Sequence, residues 1–225
     1  MKVTWLGQAG LLFEHDGKKI VIDPYLSDSV CKVNPANYRR VPVEESLFSI
    51  KPDMMIFTHN HLDHYDPETV ERFITPDTTM TVLAPSTVWP EVRKIGGKNN
   101  YVLFDRHTLW SEFGLEFTAV KAQHSDISAI GVVIDDGQRK YYVTGDTLYH
   151  REIFMDLPQD IYALFLPVNG VGNNMNMTDA AKFAKQVNAH KVIPIHWGMF
   201  DDLDPSGFGI DNKIIPTIYK EIETL

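Results

Sequence analysis

Short apolar runs separated by polar, glycine- and proline-marked breaks dominate this chain, and the length of those runs predicts strands more often than helices. Residues 3–6, 10–14 and 19–23 read as an antiparallel meander, its last two strands joined across His15-Asp16-Gly17-Lys18, where Asp-Gly supplies the turn. Residues 54–57, apolar and preceded by Pro52, read as a buried strand. A helix is expected over 66–74, with Asp66 as its cap and Pro67 in its first turn. Strand 81–84, helix 86–95 and strand 101–104 follow in alternation, then strand 115–122 and a hairpin of 129–134 with 139–144 across Asp135-Asp136-Gly137-Gln138. A helix over 150–155, a strand over 163–166, a helix capped by Thr178-Asp179 and ending near Val187, and a strand over 191–195 continue the pattern. Residues 211–223 are expected to form a surface helix that closes the fold. Between 26 and 42 no period is visible, which reads as a long loop of the kind that borders a site.

Chemistry collects where the strands stop. Directly after the run 54–57 comes Thr58-His59-Asn60-His61-Leu62-Asp63-His64, three of the nine histidines of the chain in six positions. In extended or irregular backbone His59 and His61 face the same way and can take two positions on one ion, while Asp63 and His64, after a turn, face a second position. Imidazole with carboxylate suits zinc, manganese or iron better than calcium or magnesium, and the lack of thiolates argues against a purely structural zinc site. Three more strands end in residues of the same chemistry, at His124, Gly145-Asp146-Thr147 and His196. Strand ends on one edge of a packed sheet core would bring these side chains together. Asp23, ending the run 20–22 before Pro24, is placed to cap the next loop or to orient a ligand histidine. His15, His107 and His190 sit in turns or at a helix end and read as structural. The Gly/Asn-rich segment 168–177 before a helix could hold an anion through backbone amides.

Composition narrows the function. With 225 residues, 44% hydrophobic and 23% charged, the chain fits one soluble domain over 1–225. Lysine and arginine number 21 against 30 acidic residues, so the net charge of −9 disfavours nucleic acid as a partner. The single cysteine, Cys31, excludes an intrachain disulfide, and neither a signal-peptide core nor a membrane-length apolar run is visible, so a cytoplasmic setting without a membrane partner is expected. Association with a second copy is left open. Trp197, Phe200 and Phe208 could line a pocket or pack beneath the last helix.

The pattern His59-x-His61-x-Asp63-His64, with His124, Asp146 and His196 downstream, resembles the metallo-β-lactamase superfamily. Trp5-Leu6-Gly7-Gln8-Ala9-Gly10, Ile22-Asp23-Pro24, Asn176-Met177-Thr178 and Ile193-Pro194-Ile195-His196 look most like the branch of metal-dependent hydrolases that includes L-ascorbate-6-phosphate lactonase. The resemblance implies an α/β fold, a four-layer αββα sandwich of two mixed sheets with the site along one edge. It also implies one or two divalent ions, zinc or manganese foremost and iron as an alternative. His59, His61 and His124 would hold the first ion and Asp63, His64 and His196 the second, with Asp146 bridging and Asp63 orienting the attacking water and taking its proton. The expected function is hydrolysis of a small ester or lactone, in one form a phosphorylated sugar lactone, by hydroxide held on the metal. A small-substrate phosphodiesterase and a non-catalytic metal-binding protein are the alternatives; an oxygen-reducing di-iron protein is disfavoured because His61 stands where that group resembles a Glu pattern.

Overall fold

The computed structural model describes residues 1–223. Strands β1 (Lys2–Gly7), β2 (Gly10–His15) and β3 (Lys18–Ile22) form the antiparallel meander, and β4 (Met54–Ile56), β5 (Thr81–Ala84) and β6 (Asn100–Leu103) extend the same sheet in parallel. A second sheet repeats that plan: β7 (Leu109–Glu112), β8 (Leu115–Lys121), β9 (Ile130–Asp135) and β10 (Lys140–Val143) run antiparallel, then β11 (Ile161–Pro167) and β12 (Lys191–Ile195) add in parallel. The two-residue β13 (Lys220–Glu221) pairs with β1 at the edge of the first sheet.

Alternation along each strand decides which layer a side chain joins. Leu11, Phe13, Ile20 and Ile22 face Phe117, Ile134, Tyr141 and Phe165 between the sheets. Leu12 and Val21 face outward, under α2 (Pro67–Phe73) and α3 (Trp89–Arg93), against Val70, Phe73, Val88 and Val92. On the far side Val120, Val133, Tyr142 and Leu164 are covered by Ile153 of α4 (Ile153–Asp156) and by Phe183 and Ala184 of α5 (Met177–Val187). Both faces of both sheets are therefore buried, which is why the strands read as apolar runs rather than as alternating ones. The result is the expected α/β sandwich with helices outside, although the outer layers carry few and short helices. Among the described residues no helix is long and apolar enough to cross a membrane.

Several elements depart from the sequence reading. Residues 211–223 are not a helix: Val192 donates its amide to Asn212 and accepts from Ile214, so this segment covers the free edge of β12 before β13 reaches β1. Pro216 and the β-branched Ile214-Ile215 oppose a helix there, and the segment meets the edge-strand problem by capping one edge of each sheet. Phe208 accordingly packs in the outer core of the second sheet, Trp197 lies 5.0 Å from Trp5, and Phe200 meets Tyr25 edge-on at 5.6 Å. Helix α5 starts two residues earlier than expected because Asn176, not Thr178-Asp179, accepts the Asp179 amide at 2.9 Å. The helix expected over 86–95 shrinks to the five residues of α3. Strand β7, hidden by its half-exposed alternation, and the five-residue helix α1 (Ser29–Val33) inside the 26–42 loop are not visible in the sequence.

One buried-end ion pair fixes α4 to the second sheet. Asp156 accepts from Arg106 Nε at 2.6 Å, Arg106 Nη2 at 2.8 Å and the Lys121 amide at 2.9 Å, with His107 Nε2 at 3.2 Å. Burial alone would raise this carboxyl; the donors outweigh it and hold it at about 2. A carboxyl depressed in the folded state contributes in full above its unfolded value and loses that contribution as pH falls towards 2. Asp156→Asn is expected to cost about 1–2 kcal/mol at pH 7, the Arg106 side being partly exposed and screened. Urea melts at pH 7 and pH 2.5 check this, because the difference between the two proteins should shrink at the lower pH.

Candidate metal centre

Five strands deliver the candidate residues to one edge of the sandwich, and local backbone geometry turns each inward. Asp23 follows β3 at φ 44° and donates its own amide to Ile56 O at 3.0 Å, tying the end of β3 to the end of β4. Thr58 and His59 follow β4, and the Ile130 amide donates to Thr58 O across the gap between sheets. Gly145, at φ 60°, carries β10 past this point: a Cβ there would stand 2.7 Å from Ile130 O and 3.0 Å from the Thr58 side chain, so only glycine lets Asp146 approach His59 this way. His196 follows β12 at φ 61°. His124 follows β8, its loop held by the Leu148 amide donating to Gln123 O.

The side chains that meet there are those singled out in the sequence. His59, His61, His124 and Asp146 offer ligand atoms within 4.8 Å of one another, as do Asp63, His64 and His196. Asp146 Oδ1 lies 3.2 Å from His64 Nε2 and 3.2 Å from His196 Nε2, while its Oδ2 is 4.0 Å from His124 Nε2, so the carboxylate reaches both groups. His196 Nε2 is also 3.2 Å from Asp63 Oδ2, and His124 Nε2 is 3.0 Å from His61 Nδ1. His15, His107 and His190 are elsewhere; His107 is spent on Asp156.

Hydrogen bonds behind the site assign the tautomers. The Asp23 carboxylate accepts the Thr58 amide at 2.8 Å and the Thr58 hydroxyl at 2.5 Å, and His64 Nδ1 donates to it at 2.8 Å. With its proton given to Asp23, the Thr58 oxygen accepts from His59 Nδ1 at 3.0 Å. His124 Nδ1 donates to Asn173 O at 3.3 Å. Protons on these three Nδ1 atoms leave Nε2 of His59, His64 and His124 as lone-pair donors aimed into the cluster. His59 Nε2 and Asp146 Oδ1, both fully buried, make no hydrogen bond. Burial, then His64, pushes the His59 imidazole well below its usual pKa, which keeps it neutral.

Negative charge dominates the other half. Burial by itself would depress His64 and His196, but Asp146 and Asp63, with Asp23 beside His64, outweigh it: His64 is raised well above its usual value and His196 to about 9. Asp63 and Asp146 are correspondingly held below the ordinary carboxylate range despite burial, by His64 and His196. Such a site demands positive charge, and a divalent cation meets that demand in place of protons. Orphaned nitrogen and carboxylate atoms converging at these distances fit a transition-metal ion, and the donor set of imidazole and carboxylate suits zinc, manganese or iron.

Two residues at the centre escaped the sequence reading. Asn174 donates to Asp146 Oδ2 at 2.7 Å while its own carbonyl accepts the Thr147 amide at 3.0 Å. Gln8 donates to Asp63 Oδ2 at 2.8 Å. Each follows a glycine or an asparagine, Gly7 or Asn173, at a loop turn, where a sequence offers only turn chemistry. Asp126, which accepts the Asn60 amide at 2.9 Å and the Thr87 hydroxyl at 2.6 Å, likewise steadies the histidine loop without any spacing to announce it.

Comparison with known proteins finds relatives along most of the chain. Residues 18–197 match the family model described as beta-lactamase superfamily domain. A UPF0173 metal-dependent hydrolase of Thermoplasma acidophilum is 32% identical over 244 residues, covering 99% of this chain and 98% of that protein. Another from Aeropyrum pernix is 28% identical over 237 residues, covering 96% and 92%. Among solved structures, a metallo hydrolase from Ignicoccus hospitalis superposes with a TM-score of 0.77 at 21% identity, covering 98% of this chain and 97% of that one, so the fold is shared. The chain belongs to the metallo-β-lactamase superfamily and, within it, to the UPF0173 family of metal-dependent hydrolases.

Proposed function

We propose that this protein is a metal-dependent hydrolase of small esters or lactones, with His59, His61 and His124 on one ion, Asp63, His64 and His196 on a second, and Asp146 shared. The observation that carries this reading is the convergence of imidazole nitrogens and carboxylate oxygens, the orphaned Asp146 Oδ1 among them, in two adjoining groups, backed by hydrogen bonds that fix the tautomers of His59, His64 and His124. The bound ions would supply an acidified water near neutral pH and positive charge for a developing oxyanion. Zinc and manganese are the first candidates for those ions.

The chain's own groups divide the remaining work. Asp63 is partly open at the site and its Oδ2 is already engaged by Gln8 and His196, so its other oxygen is the one free to take a proton from the attacking water. Asp23 keeps His64 and, through Thr58, His59 in the tautomer that presents Nε2. Cations on the loop next to His196 are occupied: Arg40 pairs with Asp202, and Arg39 donates to Tyr25 O and the Tyr219 hydroxyl. A neutral acyl substrate therefore suits the site better than a phosphodiester, and an unphosphorylated lactone better than a phosphorylated sugar lactone.

The test is turnover of an aryl ester, a γ-lactone and a bis-aryl phosphodiester by protein stripped with chelator and then restored with manganese or zinc. Ester or lactone cleavage that appears only on restoration is expected; phosphodiester cleavage alone would replace the substrate class, and no metal uptake would end the reading. Asp63→Asn is expected to lower kcat about 10²- to 10³-fold and to weaken only the second ion. Asp146→Asn should lose bound metal as well, and equal metal loss in the two variants would contradict the division of roles. Because His64 and His196 are raised, metal uptake must release protons, so affinity should weaken as pH falls from 8 to 6. Calorimetric titration with Co²⁺ in two buffers of different ionisation enthalpy reads that proton release directly.

A further inference from the structure

Gln8 occupies a position that turn chemistry alone does not explain. It is 2% exposed, sits at φ 48° just after β1, and its backbone and side chain are both committed to the site. Its carbonyl accepts the Trp5 indole at 3.0 Å and the His196 amide at 2.9 Å. Its side-chain Nε2 lies 2.8 Å from Asp63 Oδ2, and 3.0 Å and 3.3 Å from Nε2 and Nδ1 of His196. A carboxylate only accepts, so the amide nitrogen rather than its oxygen must face Asp63.

The two distances to His196 decide how the groups meet. An atom nearly equidistant from both ring nitrogens would collide with Cε1 if it lay in the ring plane, so the amide stands over the face of the imidazole. There an N–H is drawn to the π-system and leaves both ring nitrogens unobstructed in plane. One neutral amide thus grips two of the three residues assigned to the second ion: one hydrogen to the Asp63 carboxylate, the other over His196. A left-handed φ at a residue other than glycine is unfavourable, and here the Trp5 and His196 bonds to the same residue hold it in place. No comparable contact reaches His59, His61 or His124 from Gln8 among the described residues.

We infer that Gln8 is a positioning residue for the second metal position alone: its side-chain amide fixes the Asp63 carboxylate and the tilt of the His196 ring relative to each other, so that both present their ligand atoms to the same ion. The inference rests on the two-ion reading above. It follows that Gln8 acts on the Asp63, His64 and His196 group and leaves the His59, His61 and His124 group untouched. A residue needed merely for packing would move both groups or neither.

The test is a Co²⁺ titration of metal-stripped protein followed by visible absorption, with metal content measured separately, on the unmodified chain, Gln8→Met and Gln8→His. Met keeps the length without a donor; His restores an N–H. In Gln8→Met the weaker Co²⁺ equivalent should lose affinity about tenfold or more while the tighter one stays within twofold, and Gln8→His should recover most of the loss. The change must also appear in the absorption envelope of the second equivalent, a readout independent of turnover. Equal weakening of both equivalents, or no weakening of either, in a Gln8→Met protein with native circular dichroism overturns the positioning role. If Gln8→Met fails to fold, Gln8→Glu, which keeps the length and exchanges the donor for an acceptor, takes its place: loss confined to one equivalent supports the role, and equal weakening of both or no weakening of either overturns it. Failure of the two-ion reading would show in the unmodified chain, as fewer than two Co²⁺ equivalents, and would overturn the inference with it.

Discussion

The buried carboxylate of Asp23 is the contact on which the candidate centre depends. It lies at the end of β3 and accepts three hydrogen bonds, from the Thr58 amide, the Thr58 hydroxyl and His64 Nδ1. Bonds to an ionised acceptor are stronger than neutral ones and lose little to water when the group is enclosed. The same three bonds join two neighbouring strand ends, set His64 directly and set His59 through Thr58. Remove the acceptor and two imidazoles become free to turn their protonated nitrogen inward. The geometry of the site is thus held from behind, by a residue that need not touch a ligand.

A second constraint is the backbone at the strand ends. Gln8, Asp23, Gly145 and His196 all take positive φ immediately after a strand or one residue beyond it. Such turns redirect the chain across the sheet edge instead of over its face, and they bring groups from both sheets within hydrogen-bonding range. The conformations are costly for residues other than glycine, and they persist here because each is pinned: Asp23 by Ile56, His196 by Gln8, Gln8 by Trp5. The core between the sheets gives these turns a firm base, since β1, β3, β4, β8, β10 and β12 end on the same side.

What the sequence made legible follows from which signals are local. Apolar runs ending in His59, His124, Asp146 and His196 announced both the strands and their convergence, because a short run followed at once by a polar ligand type is visible in one window. Asp23 could be singled out for the same reason. Gln8 and Asn174 could not, since each acts through one side-chain amide whose partner lies far away in the chain, 55 and 28 positions off. The segment 211–223 misled because its spacing of isoleucines at 214, 218 and 222 mimics a helical face; its partners are the open edges of two sheets, a long-range demand that no local period encodes. Strand β7 was hidden for the opposite reason, its half-exposed alternation being too short and polar to stand out.

Anomalous diffraction from crystals grown with manganese or zinc, recorded at the metal edge, tests the central claim most directly. Two peaks are expected, one facing His59 Nε2, His61 Nδ1 and His124 Nε2 and one facing His64 Nε2, His196 and Asp63, with Asp146 Oδ1 between them. A peak bound through His59 Nδ1 or His64 Nδ1, or no peak at this edge of the sandwich, would contradict the account.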